Sequence, residues 1–443
     1  MTTHVNRGCK LDHLQPAVCN LQPPPAPRLN PMDNVTHTLV GVLVGEAASR
    51  ILPDSTNGST LQQRRNLCVF VMGIGSNLPD ADLLHTLIAG GRLDYLLHHR
   101  GYTHTVIGAL VASVAMFAAC HVWWRWRRVQ PEDRDRTAVA GVAVLAPLLH
   151  IAMDATNSYG VHPFWPFHNG WLYGDSVFII EPLFWAAAAP LVFVLRTAVA
   201  RALVGAVLLA GVALSFLVGM VPQPLGVFLV ILMLGMLATG KVTRARTAVL
   251  AGVACWLVTT AVFISAGQLA DRRAADRANE DFPTATTLDR ILSPMPVNPV
   301  CWEVILAQQD GDAYMLRRAM LSLAPSWMPA AGCPSRSLDA RTTAPLSPVS
   351  VQSRPALQWY GELVMSRTGV VRLIREHCQA EAFTRFARAL WIVRGDGGWW
   401  VGDLRFDREP SAGFAELALE PTSGRCPSNV PPWTPPRADI LGP

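Results

Sequence analysis

Apolar residues in this chain fall into long runs separated by short polar breaks, and the runs occupy about 35–267. Residues 103–122, 202–221 and 247–267 contain no Asp, Glu, Lys or Arg, and 225–240 is equally apolar but shorter. About 20 consecutive apolar residues carry a helix across a bilayer, so each of these runs predicts a membrane-spanning helix. Residues 137–153 and 177–195 predict two more, the second interrupted by Glu181. Residues 35–51 and 66–79 are weaker and fit tilted, short or re-entrant segments. That makes eight candidate spans.

From about 270 the pattern changes to that of a soluble module. The segment 301–318 reads as strand, D-G turn, strand, and 389–406 reads the same way. Residues 367–378 fit strand or helix, and 382–388 fit a helix. Segments 331–356 and 421–443 are rich in Pro and Ser and read as loops or tail. At the other end, the Pro-rich stretch 21–31 cannot be helical. Residues 1–31 also lack a signal-peptide core and read as a disordered tail, or as sequence upstream of a true start at Met32. The predicted class is mainly α: a multi-pass helical membrane bundle over 32–268, with a smaller β-rich (α+β) soluble module over 270–443.

Composition agrees with this division. Of 443 residues, 51% are hydrophobic and 16% charged, where a soluble domain carries about 25% charged residues. Mean hydropathy is +0.26. The net charge of +5 is less informative than its placement. Basic residues cluster at 62–65, 125–136, 196–201 and 241–246, at every second connection between the apolar runs. The positive-inside rule assigns those loops to the cytoplasm and the 270–443 module to the extracytoplasmic side. The basic runs are short and flank apolar spans, so no nucleic-acid partner is expected. Four of the nine cysteines lie in the module: Cys301, Cys333, Cys378 and Cys426. An oxidising compartment permits two disulfides among them, in any of three pairings. Cys68, Cys120 and Cys255 lie in apolar runs and read as packing residues.

Against this background, four short polar motifs stand out: T-H-T at 36–38, N-L-P-D-A-D at 77–82, H-H-R-G-Y-T-H-T at 98–105 and H-I-A-M-D at 150–154. By the same charge asymmetry all four fall at the outer ends of their spans. Buried His and Asp in a membrane protein are costly and tend to be functional. His150 and Asp154 stand at i and i+4, on one helix face, and can chelate one ion. Asp80 and Asp82 are close enough to repel unless a cation or proton intervenes, although either could simply cap a helix. His99 and His104 are candidate ligands across the Gly101 turn; His98 reads as a surface residue. Arg100 is left to hold an anionic substrate group. A lone histidine such as His37 is as often a satisfied buried residue as a ligand. Downstream, Asp175 could ligate or orient a metal-bound histidine, and Glu181 could act as a general base. The aromatic stretch 161–173 reads as an interfacial belt containing His162 and His168.

The motifs M-D-N-V-T-H-T-L, L-P-D-A-D, H-R-G-Y-T-H-T and H-x-x-x-D-x-x-x-x-Y-G, in this order, resemble the YdjM-type inner-membrane metal-dependent hydrolases. The resemblance covers about 32–185 and implies metal-dependent hydrolysis at His37, Asp80, Asp82, His99, His104, His150 and Asp154. A looser likeness in ligand pattern links these residues to zinc-dependent phospholipase C and P1-type nucleases. Seven candidate ligands exceed what one zinc ion takes. One or two divalent ions are therefore expected, zinc first, with manganese or magnesium as alternatives. The expected partners are membrane lipid and a lipid-like or phosphoester substrate. The competing readings are a non-catalytic metal sensor or assembly protein, and a metal transporter. The later spans carry almost no ionisable residues and the candidate ligands sit at one face, which argues against transport.

Overall fold

A computed structural model describes residues 32–51, 58–84, 91–334, 346–395, 398–407, 413–419 and 426–442. The tail read at 1–31 lies outside them. The first half of the chain is helical: α1 (Met32–Ile51), α2 (Gly58–Gly75), α3 (Arg92–His98), α4 (Val106–Trp126) and α5 (Asp133–Asp154). Then follow α6 (Pro182–Ala187), α7 (Leu191–Val194), α8 (Ala198–Leu217), α9 (Gln223–Val242) and α10 (Ala245–Asp281). Helices α4, α5, α8, α9 and α10 are long and apolar enough to cross a membrane.

Close packing among α1, α2 and α5 rests on small residues. A Cβ at Gly41 would stand 2.6 Å from the Met72 carbonyl oxygen, and one at Gly75 would stand 2.7 Å from the Ala146 Cβ. Glycine at these two positions lets α2 lie against α1 on one side and α5 on the other. The ends of all three helices are thereby drawn together.

Two readings of the apolar pattern need correction. Residues 177–195 do not form one continuous helix; Ala188–Pro190 is a turn that splits the segment into α6 and α7. Proline lacks the amide proton a continuing helix would need. The residues from Pro182 to Leu191 are buried throughout, so this broken segment is packed inside the bundle. Second, α10 runs without interruption through 268–270 to Asp281. Ala270, Ala274 and Ala278, spaced by one helical turn, are all buried. That stripe holds the polar end of the helix against the module.

The module is an antiparallel four-stranded sheet, β1 (Thr286–Met295), β2 (Asn298–Asp310), β3 (Ala313–Ser322) and β4 (Leu357–Ser366), in that order. A three-stranded sheet follows, β5 (Leu390–Gly395), β6 (Gly398–Asp403) and β7 (Glu416–Ala418). Both hairpins read from the sequence are present. The segment open to strand or helix becomes α11 (Arg367–Glu376), followed by α12 (Cys378–Phe383). Of the three possible disulfide pairings, the structure has Cys301–Cys333 and Cys378–Cys426.

The module is fastened to the membrane domain by buried polar contacts. Both carboxylate oxygens of Glu181 accept from the Val297 amide, at 3.2 and 3.1 Å, in the β1–β2 turn. Val297 has φ +60°, an uncommon conformation for a β-branched residue. Arg388 bridges Asp175 and Asp289 at 2.8 and 2.9 Å. Arg405 donates to the Ser158 carbonyl at 2.7 Å. The Pro-rich C-terminal stretch docks as well: Trp433 is buried and donates its indole N–H to the Leu97 carbonyl at 3.2 Å.

Candidate metal centre

The polar motifs meet where the α1, α2 and α5 ends converge. His150 and Asp154 occupy the last turn of α5, with His150 Nε2 3.3 Å from Asp154 Oδ2. The helix stops just beyond. There Asn157 Oδ1 accepts the Tyr159 amide at 2.9 Å and the Arg100 guanidinium at 3.0 Å. Asp80 sits in a single 3-10 turn, Pro79–Ala81, that follows α2. Its Oδ1 lies 3.3 Å from His104 Nε2 and 3.5 Å from His150 Nε2. His104 ends a second short 3-10 turn, Tyr102–His104. Its Nε2 is 3.1 Å from His150 Nε2 and 3.3 Å from Asp154 Oδ2. Asp80, His104, His150 and Asp154 form a buried group that could hold a metal ion.

The other predicted ligands surround this group. Asp82 receives His104 Nδ1 at 3.3 Å, His99 Nδ1 at 3.2 Å, the Arg100 amide at 2.9 Å and the Thr103 hydroxyl at 3.0 Å. Asp80, Asp82 and His99 form a second possible metal group sharing Asp80. His37 stacks on His150 with ring centroids 3.9 Å apart, and its Nε2 lies 3.2 Å from Asp154 Oδ1. His98, read as a surface residue, is buried and faces Asp94 one turn back, at 3.1 Å.

Among the residues given catalytic roles, Arg100 is at the site. Its guanidinium lies 3.0 Å from Asp154 Oδ1 and over the Tyr159 ring, so its charge is already committed to a carboxylate. Its backbone, at φ +61°, makes the turn between α3 and Gly101. Glu181 lines a cavity of about 20 Å³ together with His37 and Asp154. Besides the Val297 amide, its carboxylate takes the Leu183 amide at 3.0 Å, as the cap of α6. Asp175 is held by Arg388 at the module interface. His162 is not interfacial: it is fully buried between Trp171 and Trp433, with ring centroids 3.8 and 3.9 Å away.

Two contributors escaped the sequence reading. The Ser76 carbonyl accepts from His150 Nδ1 at 2.7 Å, and a backbone acceptor leaves no residue-type signal. Asn157 sits in N-S-Y-G, which reads as a helix breaker; its Oδ1 instead ties Arg100 to the end of α5.

The electrostatics all point one way. Burial alone would push the Asp80 carboxyl up, but hydrogen bonds and charge from His104 and His150 hold it well below the usual carboxylate range. Asp82 is likewise lowered, against burial, by His104 and His99. Burial disfavours the charged form of His104, yet Asp154, Asp80 and Asp82 raise it well above its ordinary value. Three carboxylates in one buried space call for positive charge beyond Arg100.

The model of a family described as YdjM inner membrane protein matches residues 32–269, which include this entire site. The chain belongs to the YdjM family. The family match ends within α10, so the module beyond it lies outside the matched range. A curated relative, "Uncharacterized protein YfhP" of Bacillus subtilis (strain 168), is 27% identical over 141 residues. That match covers 32% of this chain and 39% of YfhP, well under half of either. No solved structure matches the chain.

Proposed function

We propose that this YdjM-family protein is a membrane-embedded, metal-dependent hydrolase that cleaves a phosphoester or acyl ester of a lipid or lipid-linked molecule. The observation that carries the reading is the spacing of two imidazole nitrogens and two carboxylate oxygens. Ligands about 2.0–2.1 Å from a zinc ion stand about 3.3 Å apart at tetrahedral angles. The five contacts among Asp80 Oδ1, His104 Nε2, His150 Nε2 and Asp154 Oδ2 given above run from 3.1 to 3.5 Å.

The surrounding contacts support the same assignment. The Ser76 carbonyl can only accept, so His150 Nδ1 carries the proton and Nε2 keeps its lone pair for the ion. Asp82 does the same for His104 through Nδ1. Two imidazoles favour zinc over magnesium. His99 and Asp82, with Asp80, would hold a second ion if there is one. A divalent cation held here would supply Lewis acidity and would lower the pKa of a water towards about 7. Arg100 then positions Asp154, and the cavity beside Glu181 has room for roughly one water. Asp175 contributes by docking the module. The two disulfides fit an oxidising, extracytoplasmic location for the module and the adjoining site.

Metal analysis of the detergent-purified protein tests the binding half. Wild type should carry stoichiometric metal that His150→Ala and Asp154→Ala lose. Folded wild type without metal would overturn the proposal. Turnover of phosphoester or acyl-ester substrates by the metal-loaded protein tests the catalytic half. One observation favours a second reading, a metal sensor: each of the four ligand residues is no more than 8% exposed. Metal binding without turnover on either ester class would decide for it.

A further inference from the structure

We propose that the junction between α4 and α5 binds the phosphate-bearing headgroup of an anionic membrane lipid. A cavity of about 400 Å³ opens there, lined by His121, Trp124, Arg125, Arg128, Gln130 and Arg136 among others. Both helices are long and apolar enough to cross a membrane, and the cavity lies where they end, so a bilayer crossed by them would end beside it. Trp126, 74% exposed one residue beyond Arg125, suits an interfacial anchor.

The charges around this cavity are unbalanced. Asp135 is turned inward, buried against Arg64 at 3.3 Å and capping the Glu132 amide at 3.3 Å. Asp133 pairs with Arg136 at 3.3 Å. Among the described residues, no carboxylate pairs with Arg125 or Arg128. Two guanidiniums with no carboxylate paired to them, beside an imidazole on one cavity, suit an anion. Guanidinium forks match phosphate oxygens in bidentate geometry.

The backbone supplies a second, independent observation. Helix α4 ends in a Schellman motif: the Val129 amide donates to the Trp124 carbonyl at 2.9 Å and the Arg128 amide to the Arg125 carbonyl at 3.1 Å. The residue at the left-handed position of that motif is Arg128, with φ +55°. Glycine takes this conformation without cost and arginine does not. The turn therefore gains nothing from arginine here, whereas the cavity gains a cation. Lipid is favoured over free phosphate because exposed, apolar Val122 and Trp126 lie beside the cavity on α4.

The test uses the full chain in detergent, with native mass spectrometry of added phosphatidylglycerol and phosphatidylcholine and a parallel titration of inorganic phosphate. Wild type should retain phosphatidylglycerol roughly tenfold or more over phosphatidylcholine. Arg125→Gln combined with Arg128→Gly should abolish that preference while metal content stays at the wild-type level. Arg128→Gly alone should weaken the preference and unfold at the same temperature or higher, since it relieves the turn. Equal retention of the two lipids by wild type, or a preference that survives the double variant, would overturn the proposal. So would a lower unfolding temperature for Arg128→Gly, or inorganic phosphate binding as tightly as the lipid.

Discussion

At the residue scale, the site separates groups that face the shared buried space from groups that aim them. Asp82 accepts from four donors on the 99–104 loop, and one of them is the ring nitrogen that fixes His104. Asp82→Asn should leave the protein folded and weaken metal affinity by about 10–100-fold, read by competition with a chelator of known affinity. An unchanged affinity would mean that Asp82 does not orient His104. His162 gives a pH signature. Burial, with smaller contributions from His104 and His168, pushes it down to about 3, against an ordinary 6.5. The unfolded chain therefore takes up a proton that the folded chain refuses between these values. The stability it contributes is fully present above about pH 6.5 and is lost progressively as pH falls towards 3. At pH 5 the loss is about 2 kcal/mol. Thermal unfolding followed from pH 7 to 5 should fall less steeply for His162→Gln than for wild type; equal slopes would refute this.

At the element scale, the broken α6–α7 segment explains a misplaced acid. An acid inside an unbroken span invites a catalytic reading. With the segment split and buried, Glu181 becomes the cap of α6 and the anchor of the β1–β2 turn. Glu181→Ala leaves two buried amides without their acceptor, at a cost of about 1–3 kcal/mol each. Faster hydrogen exchange across the 286–300 hairpin should report it, with metal content retained. Protection unchanged in that hairpin would show that the tether is unimportant. The same reasoning covers α2, which lies close to both neighbouring helices where Gly41 and Gly75 leave no room for a Cβ.

At the scale of the whole molecule, the C-terminal stretch packs on the 97–102 loop that carries His99, and on the neighbouring 162–169 segment. Trp433 packs on His162, and the Thr434 amide donates to the Asn169 carbonyl at 3.0 Å. The Cys378–Cys426 disulfide, with a sequence separation of 48, holds the start of that stretch to α12. Closing a loop of that length limits the unfolded chain by an amount worth about 4 kcal/mol in the entropic account. Cys426→Ser should therefore lower the unfolding midpoint of the module and expose 426–442 to protease. Trp433→Ala should cost about 3–5 kcal/mol and deprotect 92–105 and 159–173 together. If only the stretch itself loosened, its hold on those two segments would be refuted. Removing metal with a chelator should lower the stability of the membrane domain by mass action, seen as a drop in unfolding temperature that added zinc reverses.

The sequence by itself determined the class, because long charge-free runs and period-two hairpins are one-dimensional patterns fixed by helix and strand geometry. It also picked out the residues that meet at the candidate metal centre: His150 and Asp154 from one helical turn, and Asp80, Asp82, His99 and His104 from residue types that a membrane protein rarely buries. Only the tertiary structure decided which of those carboxylates faces the shared space and which aims a histidine. That distinction depends on side-chain direction and on backbone acceptors such as Ser76 O. The tertiary structure also moved Glu181 and Asp175 to the module interface, 116 and 213 residues from their partners Val297 and Arg388. Contacts over such separations follow from packing, and local pattern carries no trace of them.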